Sequence, residues 1–528
     1  MYVPHPKSFG IGVLLLALAP TFARAEQPPA DRPVLDAKAL SAKIDEHIRA
    51  KWAEKNVKPA PTATDAEYFR RLSLDLNGRI PTITQLKDFL DDDRPEKRRI
   101  WVEELMQGRD NQDLYINHFT NYWRQLIFSQ ATNQQAQFFG FNSDAFFRRQ
   151  VKENTGYDAM VRELLTTQQG AAFYQANENR PENIASATSR LFLGIKLECA
   201  QCHDDKSGGS WLRTQFWEYA AFFANFTPQR GLQPQLPNGT GAAKIKIPDK
   251  DQVVEAKFLD GKEPVWRSGV APQNILTEWM TSKDNPYFAR AAVNRMWYYL
   301  LGTGLTDPVD HMANEDNPPS HPELLDELAF QFAAHGFDNK YLIRAITGSE
   351  AYRLTSAQND ESQEDPRLFA RMGVKGMTPE QLFDSVLLAV GYRTEPGGNM
   401  NNRFNGFQQP NSPRGEFVNR FTNAADKRTE RQTSILQALY LMNGKFLNDA
   451  IELKDGCLDR IASAGPSVPM SRRIEELYII TLSRKPNEKE MDKMLKYVEN
   501  GGPAKDTRKA LADIFWALLN SSEFILNH

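Results

Sequence analysis

Two of the three cysteines in the chain lie within a five-residue stretch that ends in a histidine. The stretch Cys199-Ala200-Gln201-Cys202-His203 fits the C-x-x-C-H pattern of covalent haem attachment. Two thiols with this spacing reach both vinyl groups of one haem and form thioethers. The histidine that follows lies where its imidazole can be the proximal ligand of the iron. We therefore predict that Cys199, Cys202 and His203 bind haem c, with His203 as the metal ligand.

Two other kinds of site fit the same residues. A C-x-x-C pair can close into a small redox disulfide, but such motifs usually begin a helix in an α/β sequence, and the sequence around Cys199 is not α/β. A structural zinc site needs four ligands. Asp204 and Asp205 lie nearby, but no second C-x-x-C or H-x-x-x-H follows. A disulfide or a metal ion therefore remains an alternative to haem.

The sequence does not define a second axial ligand for the iron. The next methionine after His203 is Met280, which lies beyond the short β-like segments described below. Candidates occur on both sides of the motif, and each of them also fits a place in the core or on the surface: Met160, Met280, Met296, Met312, His118, His311 and His321. A five-coordinate haem is also compatible with the motif.

A second group of polar residues lies within residues 302–326. Its carboxylates and imidazoles are Asp307, Asp310, His311, Glu315, Asp316 and His321. A metal site or an acid–base site of a hydrolase is chemically feasible there. The same pattern fits a proline-stiffened surface loop before a helix that Ser320 and Glu323 cap, and we favour that interpretation. No G-x-S-x-G, H-E-x-x-H or Walker pattern occurs.

Composition and charge are those of a globular protein. Hydrophobic residues make up 41% of the chain and charged residues 25%. The formal net charge is −3, with 64 basic and 67 acidic residues mixed along the chain, and nothing in this pattern resembles the basic footprint of a nucleic-acid binder. A length of 528 residues indicates several domains.

The N-terminus has the pattern of a signal peptide. Lys7 supplies a positive charge, residues 11–22 form an apolar core, and Ala23-Arg24-Ala25 matches a cleavage site. An uncleaved anchor is the alternative, but the apolar core is shorter than the roughly 20 residues that span a bilayer. We expect a periplasmic or secreted protein with no membrane span after removal of the signal peptide.

Helical patterns dominate the rest of the chain. Thr82 with Gln85 and Thr378 with Gln381 predict capping boxes, and Gly194 predicts the end of a helix just before the cysteine motif. Residues 214–226 are rich in aromatic side chains and predict a buried helix. Between the helical parts, residues 244–247 and 253–259 predict short strands.

The predicted fold class is mainly α, with two helical domains and a small β-hairpin insert between them. The predicted organisation is a signal peptide (1–25), a leader (26–41), a helical domain with the C-x-x-C-H motif (42–226), a linker with the β-insert (227–273) and a second helical domain (274–528).

Several long stretches resemble a pair of planctomycete domains. The stretch F-L-G-I-K-L-E-C-A-Q-C-H (192–203), with R-R-L-S-L-D-L-N-G-R-I-P (70–81) and Y-A-A-F-F (219–223), resembles the planctomycete secreted cytochrome-c-like domain of unknown function. The stretches at 285–297, 317–326 and 516–528 resemble the planctomycete-specific domain, also of unknown function, that is usually fused behind it.

The resemblance implies a haem-binding first domain and a helical second domain. Family members often continue the motif as C-H-x-H-P-F, whereas Asp205 stands here in place of the second histidine, so any ligand role of that histidine is lost or changed. Relatives are often encoded beside a secreted sulfatase-like protein, which implies such a protein as a possible partner.

The expected function is a c-type haem protein for electron transfer or redox sensing, with an electron-transfer protein as its partner. The alternative is a non-haem secreted scaffold or accessory protein that works with sulfatase-like or carbohydrate-active partners. A hydrolase that uses the carboxylates and histidines of residues 307–321 is a third hypothesis. The sequence leaves open whether the protein is an enzyme.

Overall fold

The computed structural model describes residues 32–129, 133–204, 211–224, 242–313, 316–392, 414, 415, 417, 418, 445–452 and 454–528. The predicted signal peptide, Asp205, Glu315 and residues 227–241 of the predicted linker lie outside the described residues.

The described residues are mainly helical, as the sequence predicts. The helices before and just after the cysteine motif are α1 (Ala37–Lys55), α2 (Asp65–Asn77), α3 (Ile83–Asp91), α4 (Lys97–Gln107), α5 (Gln112–Ile127), α6 (Asn133–Lys152), α7 (Tyr157–Thr166), α8 (Ala171–Ala176), α9 (Pro181–Leu193) and α10 (Arg213–Ala220). The later helices are α11 (Pro272–Met280), α12 (Phe288–Leu301), α13 (Pro322–Ala334), α14 (Asn339–Gly348), α15 (Glu350–Arg353), α16 (Pro379–Val390), α17 (Lys445–Ile451), α18 (Cys457–Ala462), α19 (Met470–Leu482), α20 (Glu488–Glu499), α21 (Thr507–Leu519) and α22 (Ser522–Ile525).

The predicted helix caps are mostly confirmed. Both capping boxes form, at the start of α3 with Thr82 and at the start of α16 with Thr378. Helix α9 ends at Leu193 with Gly194 as its C-cap, and the φ of 66° at Gly194 lies in the left-handed region that a residue without Cβ adopts easily.

The predicted cap at Ser320 and Glu323 is wrong. Helix α13 begins at Pro322 with His321 as N-cap, and the N-cap side chain makes no capping hydrogen bond. The backbone N–H and the hydroxyl of Ser320 instead donate to the carbonyl of Leu305, so Ser320 belongs to the preceding loop.

Two small antiparallel sheets occur in the described part of the chain. In the first, β1 (Lys244–Lys246) pairs with β2 (Val253–Glu255), which confirms the predicted β-hairpin insert. In the second, β3 (Lys375–Gly376) pairs with β4 (Leu526–Asn527). The second sheet joins segments about 150 residues apart, which periodicity alone does not reveal.

The aromatic run after the cysteine motif is buried, as the sequence predicts. Tyr219, Phe222 and Phe223 are at most 1% exposed, and the run forms α10 and the 3₁₀ turn Ala221–Phe223 that follows it. The ring of Phe222 stacks on Phe258 at 5.2 Å between centroids, and Phe258 stacks on Trp279 of α11 at 4.9 Å. The described residues from Leu35 onward form one compact unit.

Candidate functional site

The C-x-x-C-H motif forms a short surface turn that follows α9 in the sequence. After Gly194 the chain forms one 3₁₀ turn, Glu198–Gln201, in which Ala200 is fully buried. The side chains of Cys199, Cys202 and His203 are exposed. We call residues 198–204 the cysteine turn. Its buried alanine fixes the turn on the core, so that both thiols and the imidazole face outward.

Both thiols of the cysteine turn are free. Cys199 and Cys202 form no disulfide with each other or with the buried Cys457. Exposed and unpaired thiols are the form that covalent attachment of a cofactor needs. This arrangement gives no support to the alternative of a disulfide across the C-x-x-C pair.

The imidazole of His203 is held in one tautomer. Its Nδ1 lies 2.9 Å from the carbonyl oxygen of Asp204. A carbonyl oxygen only accepts, so Nδ1 carries the proton and donates it, and in the neutral ring Nε2 keeps its lone pair. Ligating histidines characteristically donate their other ring N–H to a carbonyl or carboxylate. The geometry of His203 therefore fits an axial ligand that would bind iron through Nε2.

Helix α10 anchors the cysteine turn. The backbone N–H of Arg213 donates to Oδ1 of Asp204 at 2.8 Å, which ties the end of the turn to the start of the helix. Nε of Arg213 and Nε1 of Trp217 both donate to the carbonyl of Gln201, at 3.2 and 3.1 Å. The sequence shows α10 only as an aromatic helix, so the anchoring roles of Arg213 and Trp217 come from the structure.

Charged residues from three elements meet beside the cysteine turn. Arg190 of α9 lies 3.7 Å from Glu198 and 4.0 Å from Asp310, and Arg295 of α12 lies 2.7 Å from Asp310. Oε2 of Glu198 is buried and has no hydrogen-bond partner among the residues that the structure describes. Burial raises the pKa of the Glu198 carboxyl above its usual range, against the opposing attraction of Arg190.

The polar loop at 302–326 contacts the segment that leads from α9 into the cysteine turn. The backbone N–H of Met312 donates to the carbonyl of Gly194 at 2.8 Å. A Cβ on Gly194 would lie 2.8 Å from Sδ of Met312, so the glycine makes room for that side chain. Of the methionines proposed as second ligands, Met312 is thus placed next to the segment that leads into the turn.

Four of the other proposed second ligands have places in the core or in hydrogen-bond networks. Met160, Met280 and Met296 are at most 2% exposed. Nε2 of His118 lies 2.5 Å from the hydroxyl of Tyr299.

Two of the residues singled out in the polar loop, Asp310 and His321, are engaged in other contacts. Asp310 pairs with arginines, and His321 is 4% exposed, with its Nδ1 2.9 Å from the hydroxyl of Ser320. Burial, reinforced by Lys51, lowers the pKa of His321 to about 4. The imidazole is therefore neutral and enclosed at physiological pH.

The alternative of a metal ion finds no ligand set in the described residues. Nowhere among them do three or more His, Cys, Asp or Glu side chains come close enough to hold a metal ion. The ligands of a tetrahedral zinc ion converge on one point. The side chains of Cys199, Cys202 and His203 therefore do not have the arrangement of zinc ligands.

Among the described residues, none of the helices combines the length and the apolar character that crossing a bilayer requires.

Comparison with known proteins identifies two segments. Residues 43–228 match the family model described as PSCyt2, a protein of unknown function (DUF1549), and residues 273–414 match that described as PSD1, a protein of unknown function (DUF1553). No curated protein and no solved structure matches the chain. The segment similar to PSCyt2 precedes the segment similar to PSD1, an order consistent with a planctomycete-type two-domain protein.

Proposed function

We propose that the protein is an exported c-type haem protein for electron transfer or redox sensing. Cys199 and Cys202 are the attachment points and His203 is the axial ligand. When bound, haem c supplies a one-electron iron couple.

The hydrogen bond between His203 and the carbonyl of Asp204 is the observation that carries the proposal. It leaves Nε2 as the free acceptor of an exposed imidazole, beside two exposed thiols that form no disulfide. A surface histidine without such a bond exchanges between tautomers, and only one of them presents Nε2 as a ligand. This arrangement supports His203 as the axial ligand of a c-type haem.

The neighbouring residues support this role by position and charge. Arg213 and Trp217 hold the carbonyl of Gln201, which lies between the two cysteines in sequence. Glu198, directly before Cys199, is a partly buried carboxylate with Arg190 as its nearest cation. Charges and hydrogen bonds around a haem are among the means by which a protein sets its reduction potential.

Covalent haem is the decisive measurement. The full chain is expressed with its signal peptide in a host that matures c-type cytochromes. It is then denatured, run on a haem-stained gel and assayed as a pyridine haemochrome. We expect one haem per chain, and loss of the stain in the Cys199→Ala, Cys202→Ala variant. The matched control is Cys457→Ala, which removes the buried cysteine and should leave the stain unchanged.

A folded chain without covalent haem in that host contradicts the proposal. The alternative of a non-haem secreted scaffold, acting with sulfatase-like or carbohydrate-active partners, would then be the better hypothesis. Its test is co-purification with a secreted sulfatase-like protein from the native source.

A further inference from the structure

A small polar cavity lies between the end of α2, helix α5 and helix α16, away from the cysteine turn in sequence. Its volume is about 30 Å³. We call it the Arg79 pocket. The described residues that line it are Asn77, Gly78, Arg79, Leu114, Asn117, His118, Asn121, Glu380, Asp384 and Arg414.

The backbone at Gly78 brings α2 close to α5. Gly78 has a φ of 69°, and a Cβ at this position would lie 2.4 Å from Nδ1 of His118. Only glycine allows this approach, since any side chain would clash with the imidazole. The next residue, Arg79, is thereby placed at the wall of the pocket.

The pocket has more hydrogen-bond donors than acceptors. Oδ1 of Asn117 accepts from Arg148 at 2.6 Å, and Oδ1 of Asn121 accepts from Arg124 at 3.3 Å. Both amides therefore have their oxygens engaged, which leaves their NH₂ groups as donors. Within the described part of the chain, no hydrogen bond from either NH₂ group is found.

Arg79 is a cation without a hydrogen-bonded counter-ion among the described residues. The carboxylate whose charge acts on Arg79, that of Asp384, has both oxygens bonded to Arg414, at 3.1 and 2.9 Å. Burial lowers the pKa of the Arg79 guanidinium, with only partial compensation from Asp384. A partly buried guanidinium with unused donors is stabilised when an anion binds to it.

Two buried acceptors line the same pocket, Oδ1 of Asn77 and Oε2 of Glu380, and neither accepts a hydrogen bond in the described structure. Of the two, Glu380 is the carboxylate. A fully deprotonated anion such as sulfate would be repelled by this carboxylate. An oxyanion that still carries a proton, such as hydrogen phosphate, can accept from Arg79 and donate its O–H to Glu380.

We propose that the Arg79 pocket binds one small oxyanion that carries a proton, of the phosphate type. Arg79 and the amides of Asn117 and Asn121 donate to its oxygens, and Glu380 accepts its O–H. The volume admits a single small group, which excludes a whole sugar or nucleotide inside the closed part of the pocket. The proposal does not depend on haem at the cysteine turn.

Calorimetric titration of the full chain with inorganic phosphate and with sulfate, at matched ionic strength in chloride buffer, tests the proposal. We expect saturable binding of phosphate, with sulfate at least ten-fold weaker. Arg79→Gln should weaken phosphate at least ten-fold, because a charge-assisted contact is lost. Glu380→Gln should reduce the preference for phosphate over sulfate.

Two further variants keep the test decisive. Asn117→Asp keeps an acceptor for Arg148 but replaces the NH₂ donor with a second carboxylate oxygen, so phosphate binding should be lost even if Arg79→Gln folds poorly. Arg94→Gln is the matched control, because Arg94 is exposed and pairs with Asp92 outside the pocket. Absence of saturable phosphate binding overturns the proposal, as does equal binding by the Arg79→Gln variant or a wild-type preference for sulfate.

Discussion

The ammonium of Lys375 lies 2.8 Å from Oδ1 of Asp75, and neither side chain is more than 2% exposed. Other buried groups form further hydrogen bonds with both members of this pair. Asn527 donates to Oδ1 of Asp75 and Tyr352 to Oδ2, while Lys375 also donates to the carbonyl of Leu300. The pair therefore joins α2, α12 and both strands of the second sheet in the interior.

Removal of one partner of this pair should be strongly destabilising. Lys375→Met leaves a buried carboxylate without its cation, which costs about 3–5 kcal/mol of unfolding free energy. Urea unfolding followed by circular dichroism and tryptophan fluorescence measures it. The matched control is Lys496→Met, since the Lys496–Asp492 pair is 69% and 65% exposed and should change stability by less than about 1 kcal/mol. A Lys375→Met effect as small as the control would contradict this account.

Gly194 should tolerate alanine less well than Gly336 does. Both have a positive φ, 66° and 65°, so each substitution carries a conformational cost of about 1 kcal/mol. A Cβ at Gly336 meets nothing within 4 Å, whereas one at Gly194 meets Sδ of Met312 at 2.8 Å. We expect Gly194→Ala to cost more unfolding free energy than Gly336→Ala, measured by urea titration. Met312→Ala should recover part of the difference, and equal costs for the two alanines would show that the contact with Met312 is unimportant.

His321 should make stability depend on pH. Its folded pKa of about 4 lies below the ordinary value of 6.5, so between these values the unfolded chain binds the proton and the folded chain does not. Stability from this residue is therefore fully present above about pH 6.5 and is lost as the pH falls toward 4. The loss is on the order of 3 kcal/mol, at 1.36 kcal/mol per pKa unit.

The His321→Phe variant isolates this contribution. The residue is buried and its ring contacts Phe369, so an aromatic replacement keeps the packing while removing the titrating group. Urea midpoints from pH 4 to pH 7 should decline less steeply toward acid in the variant than in the wild type. Parallel curves would exclude His321 as the source of the dependence.

His203 should affect the haem spectrum without affecting attachment. In His203→Ala both thiols remain, so the haem stain persists while the visible spectrum and the reduction potential change with loss of the axial imidazole. His47→Ala, on α1, is the control histidine and should leave both unchanged. An unaltered spectrum in His203→Ala would exclude His203 as the ligand. This prediction rests on the proposed function.

Local sequence patterns predicted those features that are stabilised by residues close by in the sequence. The capping boxes at Thr82 and Thr378 and the helix end at Gly194 are confirmed, because each depends on residues a few positions apart. The cap at Ser320 was predicted wrongly for a tertiary reason. Its hydroxyl bonds to the carbonyl of Leu305, fifteen residues upstream, and not to its own helix.

The sequence by itself determined the mainly helical fold, the hairpin insert and the five-residue cysteine motif, since spacing and periodicity are properties of short segments. Only the tertiary structure decided the surroundings of those residues. The fixed tautomer of His203, the anchors at Arg213 and Trp217, and the charges of Arg190 and Glu198 follow from how distant helices pack. The same holds for the donors of the Arg79 pocket and for the ion pair between Asp75 and Lys375, whose partners lie 300 residues apart. A linear pattern does not specify contacts of that range, because they are set by the shape of the whole core.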